Sequence, residues 1–151
     1  MRKAPEFTLQ NTKGKPISLS DFKDEHNVVL LFFPLAFSGV CTKELCSTRD
    51  NMKIYEALDA KVIGISVDSF FTLKAFKESH NLNFLLLSDF NKEVSKKYDT
   101  LYDDFFGMQG VSKRSVFVIN KKGNIEYQEI LENSDNIPDL NKVQEVLAQL
   151  D

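Results

Sequence analysis

Val28-Val29-Leu30-Leu31-Phe32-Phe33 is an apolar run without a polar interruption, the pattern of a strand buried on both faces rather than one alternating between core and water. Val62 to Val67 predicts a second buried strand and Phe84 to Leu87 a third. Between them the period changes. From Gly39 to Leu58 the residues Leu45, Met52, Tyr55 and Leu58 recur at helical spacing, which predicts one helix with an inward stripe, and Thr72 to His80 predicts another through Leu73, Phe76 and Lys77. This order is a βαβ unit, for which a right-handed crossover is expected.

The flanks complete the picture. Phe7-Thr8-Leu9 and Ile17-Ser18-Leu19 surround Asn11-Thr12-Lys13-Gly14-Lys15, predicting a short hairpin that turns at Gly14. Lys92 to Tyr98 predicts a short helix and Thr100 to Val111 an irregular segment. Ser115-Val116-Phe117-Val118-Ile119 is a strand that Lys121-Lys122-Gly123-Asn124 turns back into Ile125 to Leu131. Pro138 to Leu150 predicts a closing helix with Pro138 in its first turn. Parallel βαβ units followed by a β-hairpin and a terminal helix make an α/β chain of thioredoxin-like order with an N-terminal β-hairpin extension, and residues 1–151 read as a single domain.

Composition narrows the function. Nineteen Lys and Arg against 22 Asp and Glu give a formal charge of -3 with no long basic block, which argues against nucleic acid and anionic membrane surfaces as partners. The apolar stretch from Val28 to Phe37 is about half of the roughly 20 residues a membrane helix needs, and Pro34 interrupts it. Met1-Arg2-Lys3-Ala4-Pro5-Glu6 leads into polar sequence rather than a hydrophobic signal core, so a cytoplasmic location is expected. In a reducing compartment, two cysteines point to redox or metal chemistry more than to a static brace.

Those cysteines lie past the first buried strand. Cys41 falls at a predicted strand-to-helix turn, where open α/β sheets place their sites and where unpaired N–H groups and the helix dipole favour a thiolate. A cysteine also packs as a small buried hydrophobe. Thiolate population alone is a weak lever: a thiol of pKa near 8.5 is ~3% ionised at neutral pH, so lowering it to about 6 gains at most ~30-fold. Efficient chemistry at such a thiol therefore needs a hydroxyl and a fixed cation near sulfur. Ser38 supplies a hydroxyl three residues earlier, or simply caps the helix. Pro34 terminates the strand, and beside a sulfur it would keep water from one side.

Arg114, directly before the strand at 115–119, is the first candidate cation, with a solvated flank as its ordinary reading. Arg49 on the helix is the alternative. Glu44 either holds an arginine through a carboxylate–guanidinium pair or serves the helix dipole. Cys46 follows Cys41 by five residues, which on an unbroken helix is about 140° of rotation and roughly 7.5 Å of rise. A disulfide wants Cα atoms within ~7 Å, so joining the two requires the helix start to unwind. Otherwise Cys46 is a helix-face cysteine without a role.

Pro34, Ser38 and Cys41 fit Pro-x-x-x-Thr/Ser-x-x-Cys, with Glu44 and Arg114 at the places of the accessory acid and arginine. By these residues, and by Ala4-Pro5-Glu6-Phe7, Gly64 to Asp68 and Arg114 to Asn120, the chain resembles the peroxiredoxins of the AhpC/TSA superfamily nearly end to end. Phe32 to Phe37 and Leu86 to Phe90 resemble the AhpE type, whereas the Cys41-x4-Cys46 pair resembles the PrxQ or bacterioferritin comigratory protein type. The resemblance implies a thiol peroxidase: Cys41 attacks hydrogen peroxide or an organic hydroperoxide, and Cys46 condenses with the sulfenic acid as an intramolecular disulfide. Thioredoxin or a glutaredoxin-like dithiol then reduces it, with no metal, haem or flavin cofactor. Catalytic residues so implied are Cys41, Cys46, Ser38, Arg114, Pro34 and Glu44. The AhpE likeness implies a homodimer and the PrxQ likeness a monomer.

Two other readings compete. A thiol–disulfide oxidoreductase suits the architecture but not the lack of Cys-x-x-Cys. A metal-binding or redox-responsive module without turnover would need ligands at better spacing than two cysteines with His26 and His80.

Overall fold

The computed structural model describes residues 2–150, with Cys41 placed by its backbone alone. Eight strands run in the order β1 (Arg2–Lys3), β8 (Asn124–Ile130), β7 (Ser115–Ile119), β4 (Asn27–Phe32), β5 (Ala60–Ser66), β6 (Leu85–Ser88), β2 (Thr8–Asn11) and β3 (Pro16–Ser18). β4, β5 and β6 are parallel neighbours, while β7 lies antiparallel to β4 and β8 to β7. The N-terminal hairpin of β2 and β3 extends this sheet by pairing β2 antiparallel with β6. Its turn holds Gly14 at φ +75°, a conformation that residues with a side chain resist.

The apolar run from Val28 to Phe33, which fills β4 after Asn27, is explained by the two cores it separates. Val29, Leu31 and Phe33 face one core with Val116 and Val118, while Val28, Leu30 and Phe32 face the other with Phe117 and Ile119. The first face is covered by α1 (Gly39–Asp50), α2 (Met52–Ala57), α3 (Phe70–Ser79) and α5 (Leu140–Ala148), through Leu45, Met52, Tyr55, Leu73, Phe76, Val143 and Leu147. The second is covered by α4 (Glu93–Lys97) and the N-terminal segment, through Val94, Tyr98, Phe7 and Leu19. Gly64 leaves room on the first face: a Cβ there would sit 2.7 Å from Leu86 Cδ2 and 3.3 Å from the Phe33 ring.

Two expectations are corrected. The helix expected from Gly39 to Leu58 is two helices, parted at Asn51, whose backbone leaves the helical region (φ -108°, ψ 12°) while its side-chain amide donates to the Ser47 carbonyl at 2.9 Å. Asparagine offers the backbone such an alternative, and because the break keeps Met52 and Tyr55 in phase with Leu45, periodicity alone does not reveal it. Pro138 precedes the last helix instead of opening it: Asp139 is the cap, accepting from the Lys142 N–H at 3.1 Å. Arg2 and Lys3, for which the sequence pattern predicts no element, form a short strand against β8.

Candidate active site

The site is built where β4 ends. Phe32 pairs with Ser115, so Arg114, one residue before β7, is carried to the carboxyl end of β4, where the chain turns through a buried Pro34 into α1. Pro34 has no N–H to leave unpaired as the ladder stops. Two residues on, the Ala36 N–H donates to Asp68 Oδ2 at 2.7 Å. Phe37 adopts φ +67°, and its ring meets Phe76 and His80 at centroid distances of 5.1 and 6.2 Å.

Ser38 stands at the N-cap position of α1 with extended backbone, but among the described residues its hydroxyl makes no cap bond; it turns back and donates to the Leu35 carbonyl at 3.0 Å. Its own carbonyl accepts from the Thr42 N–H and hydroxyl, at 3.0 and 2.8 Å. Having spent its proton on Leu35, the Ser38 oxygen retains acceptor capacity.

Arg114 is not a solvated flank. It is 1% exposed, and its guanidinium is fixed at two points: Nη1 donates to Glu44 Oε1 at 3.0 Å and Nε to the Ser134 carbonyl at 3.0 Å. The Arg114 N–H donates to the Tyr102 hydroxyl at 3.4 Å, which in turn donates to the Leu131 carbonyl at 2.8 Å. Glu44 is fully buried on α1. Burial pushes its carboxyl up to about 7, against the lowering effect of Arg114. Arg49, the alternative cation, lies elsewhere: it pairs with Asp50 and donates to the His80 carbonyl at 2.6 Å, tying α1 to the end of α3.

Cys41 belongs to the first turns of α1; its side chain lies outside the described residues. Position 41 precedes Glu44 by three residues, a spacing at which helix positions are neighbours on one surface, so the backbone brings that position to the turn of helix that Arg114 meets. Cys46 is a free, half-buried thiol leaning on the core beneath α1. α1 is continuous across both cysteines, and helix geometry puts their Cα atoms roughly 8–9 Å apart.

Asp68 is a residue for which the sequence reading had no role. Its carboxylate accepts from the Ser66 hydroxyl at 2.7 Å as well as from Ala36, while its carbonyl accepts from the Ser88 hydroxyl at 2.6 Å. The available signal was a carboxylate two residues beyond Ser66, past the end of a buried strand. An apolar cleft between Leu19, Phe22, Val28 and Ile119 opens at the other end of the sheet, a strand's length of roughly 17 Å from Arg114.

Comparison with known proteins places this arrangement. The pattern of a family described as "AhpC/TSA family" matches residues 1–128. A wheat (Triticum aestivum) protein named "Peroxiredoxin Q, chloroplastic" is 41% identical over 123 residues, which cover 82% of this chain and 55% of the relative. "Peroxiredoxin Bcp" of Bacillus subtilis (strain 168) is 37% identical over 126 residues, covering 82% and 80%. The chain thus spans about half the length of the wheat relative and most of the bacterial one. Among solved structures, "Peroxidoxin BcpB from Mycobacterium tuberculosis" superposes with a TM-score of 0.86 at 28% identity, covering 97% of this chain and 94% of that one.

Proposed function

The chain belongs to the AhpC/TSA family, the peroxiredoxins, of the Q/Bcp type, and from that premise we propose that it reduces hydrogen peroxide and organic hydroperoxides with Cys41 as the peroxidatic thiol. The observation that carries this reading is the buried Glu44–Arg114 pair at the carboxyl end of β4. A guanidinium held by a carboxylate and a backbone carbonyl in a site shut off from water is a preorganised cation, and such groups lower the barrier where negative charge develops.

The Cys41 thiolate attacks one oxygen of ROOH; the O–O bond breaks, the departing oxygen takes a proton as ROH, and sulfur is left as sulfenic acid. Arg114 stabilises the charge shared between sulfur and the two oxygens. Glu44 holds the guanidinium in place, and Ser38, its own proton given to Leu35, accepts the O–H of the incoming peroxide. Pro34 closes one side of the site with an apolar ring. Cys46 then attacks the sulfenic sulfur, forming the S–S bond and releasing water, and a thioredoxin or glutaredoxin-like dithiol returns both thiols while being oxidised itself. A reducing cytoplasm suits that last step.

The resolving step demands motion. With both cysteines on continuous helix and Cα atoms beyond the ~7 Å a disulfide accepts, the first turns of α1 unwind in each cycle. The test is the intact mass after one equivalent of hydrogen peroxide. Loss of two hydrogens is expected; a persistent gain of one oxygen would remove Cys46 from the cycle, and no change in mass would remove the peroxidase reading.

A further inference from the structure

We infer that Asp68 is a positioning residue for peroxide reduction, setting the loop that delivers α1 to Arg114; the inference rests on the peroxidase reading above. Residues 33–38 join β4 to α1 in six positions, and their path is not one a chain adopts by itself. Phe37 occupies the left-handed region at φ +67°, a conformation costing a β-carbon residue about 1 kcal/mol or more unless the surroundings impose it. Two restraints do so. The Phe37 ring, about half exposed, packs on its inner side against Phe76 and His80, and the preceding amide, Ala36 N–H, is taken by Asp68 Oδ2 at 2.7 Å.

Asp68 is itself held. The Ser66 hydroxyl, fully buried on β5, donates to the same oxygen at 2.7 Å, and the Ser88 hydroxyl on β6 donates to the Asp68 carbonyl at 2.6 Å. The carboxylate is thus referenced to two central strands and passes that reference to the loop. Charge-assisted bonds of this length are among the stronger hydrogen bonds. Downstream, the Ser38 carbonyl accepts the first helical bonds from Thr42, so an error at Ala36 is inherited by the whole first turn of α1.

Arg114 is held from outside that loop by the Ser134 carbonyl and by its place directly before β7, while Glu44, one turn further along α1, holds it from the helix. Losing the Asp68 tether therefore shifts the first turn of α1, which carries position 41, relative to a cation anchored beyond that turn. Misplacement of about 1 Å costs on the order of 10²-fold when a reaction needs several groups aligned. A reaction of the same thiol that does not use the cation is spared.

The test compares Asp68→Ala and Asp68→Asn in the full chain, each with Cys46→Ser so that one thiol reports. Two rates are read at Cys41: sulfenic acid formation with hydrogen peroxide and alkylation by iodoacetamide. Asp68→Ala should slow the peroxide reaction about 10–100-fold while alkylation, and the pH at which it is half-maximal, stay within about threefold and 0.5 pH units. Asp68→Asn, which keeps one oxygen acceptor, should fall between Asp68→Ala and wild type. An unchanged peroxide rate, or an alkylation rate falling by the same factor, overturns the inference; if Asp68→Ala does not fold, the same comparison is decided on Asp68→Asn. A Cys46→Ser parent reacting with peroxide no faster than free cysteine overturns the peroxidase reading itself, and the inference with it.

Discussion

Glu44 and Arg114 are separated by seventy positions in the chain and by 3.0 Å in the fold. Only one carboxylate oxygen makes this contact; Glu44 Oε2 is buried with no hydrogen-bond partner among the described residues. A buried carboxylate with an idle oxygen is a poor source of stability, since desolvation outweighs what a single contact returns. Its burden on the fold, and the rise of its pKa to about 7, make sense if the pair serves to hold the guanidinium in one orientation.

Separating charge from geometry follows from that asymmetry. Glu44→Gln retains an oxygen for Arg114 Nη1, so the unfolding free energy at pH 8 should be no lower than wild type and peroxide turnover should fall less than about tenfold. Glu44→Ala leaves the guanidinium without that acceptor, at a cost of about 1–3 kcal/mol and a rate loss of about 100-fold. Urea unfolding and initial peroxide consumption decide it; equal turnover in the two variants would show that Glu44 does not orient Arg114.

The same carboxyl predicts how stability depends on pH. Its folded-state pKa of about 7 lies above the value near 4.3 of an unfolded chain, so between them the folded state binds more protons and stability declines as pH rises. The contribution is fully present below about pH 4 and is lost through about pH 7, amounting to something on the order of 3 kcal/mol. Asp59 acts in the opposite direction and in a lower window. Lys121 first, and His26 second, hold its carboxyl below the usual range, giving stability that is lost as the pH falls below about 4. Urea midpoints from pH 4.5 to 8 should slope downward for wild type and lie flat for Glu44→Gln; parallel slopes would sink the assignment.

The two arginines should part company on substitution. Arg114→Lys keeps a charge but cannot span Glu44 and Ser134 with a rigid planar fork, so peroxide reduction should drop about 10²–10³-fold. Arg49→Met loses a tie to the His80 carbonyl at a half-exposed position, and the peroxide rate should stay within about threefold. A large loss for Arg49→Met with little for Arg114→Lys would reverse the identity of the cation.

What the sequence made legible is what depends on pattern. The unbroken run at 28–33 reports a strand between two cores, and chain order makes Arg114 a candidate for the sheet end, but residue type alone leaves Glu44 divided between holding an arginine and serving the helix dipole. Less was legible where a polar side chain chooses among backbone partners. Ser38 has the residue type and the position of a cap, yet its hydroxyl goes to Leu35, and Asn51 splits a helix without disturbing its apolar phase. Asp68 was invisible as a positioning group because its meaning lies in Ala36, thirty-two residues earlier, and no periodicity links them.

Oxidation should leave a localised mark on α1. Among the bonds that anchor its far half, the Thr48 hydroxyl donates to the Glu44 carbonyl at 3.1 Å, Arg49 holds the His80 carbonyl, and the Asn83 amide donates to the Arg49 carbonyl at 3.3 Å. The near end has no side-chain cap, and Gly39, Lys43 and Ser47 are exposed. Joining positions 41 and 46 should therefore melt the turns between them and leave the last turn standing. In hydrogen exchange, amides at 41–46 should lose at least about tenfold protection in the disulfide form, while those of the final turn, through Asp50, and of β4 keep theirs. Cys46→Ser exposed to the same peroxide should show no such change, because a sulfenic acid at position 41 needs no unwinding. Equal protection of 41–46 in the reduced and disulfide forms would mean the helix stays intact, and a bond between those two sulfurs would then be geometrically excluded.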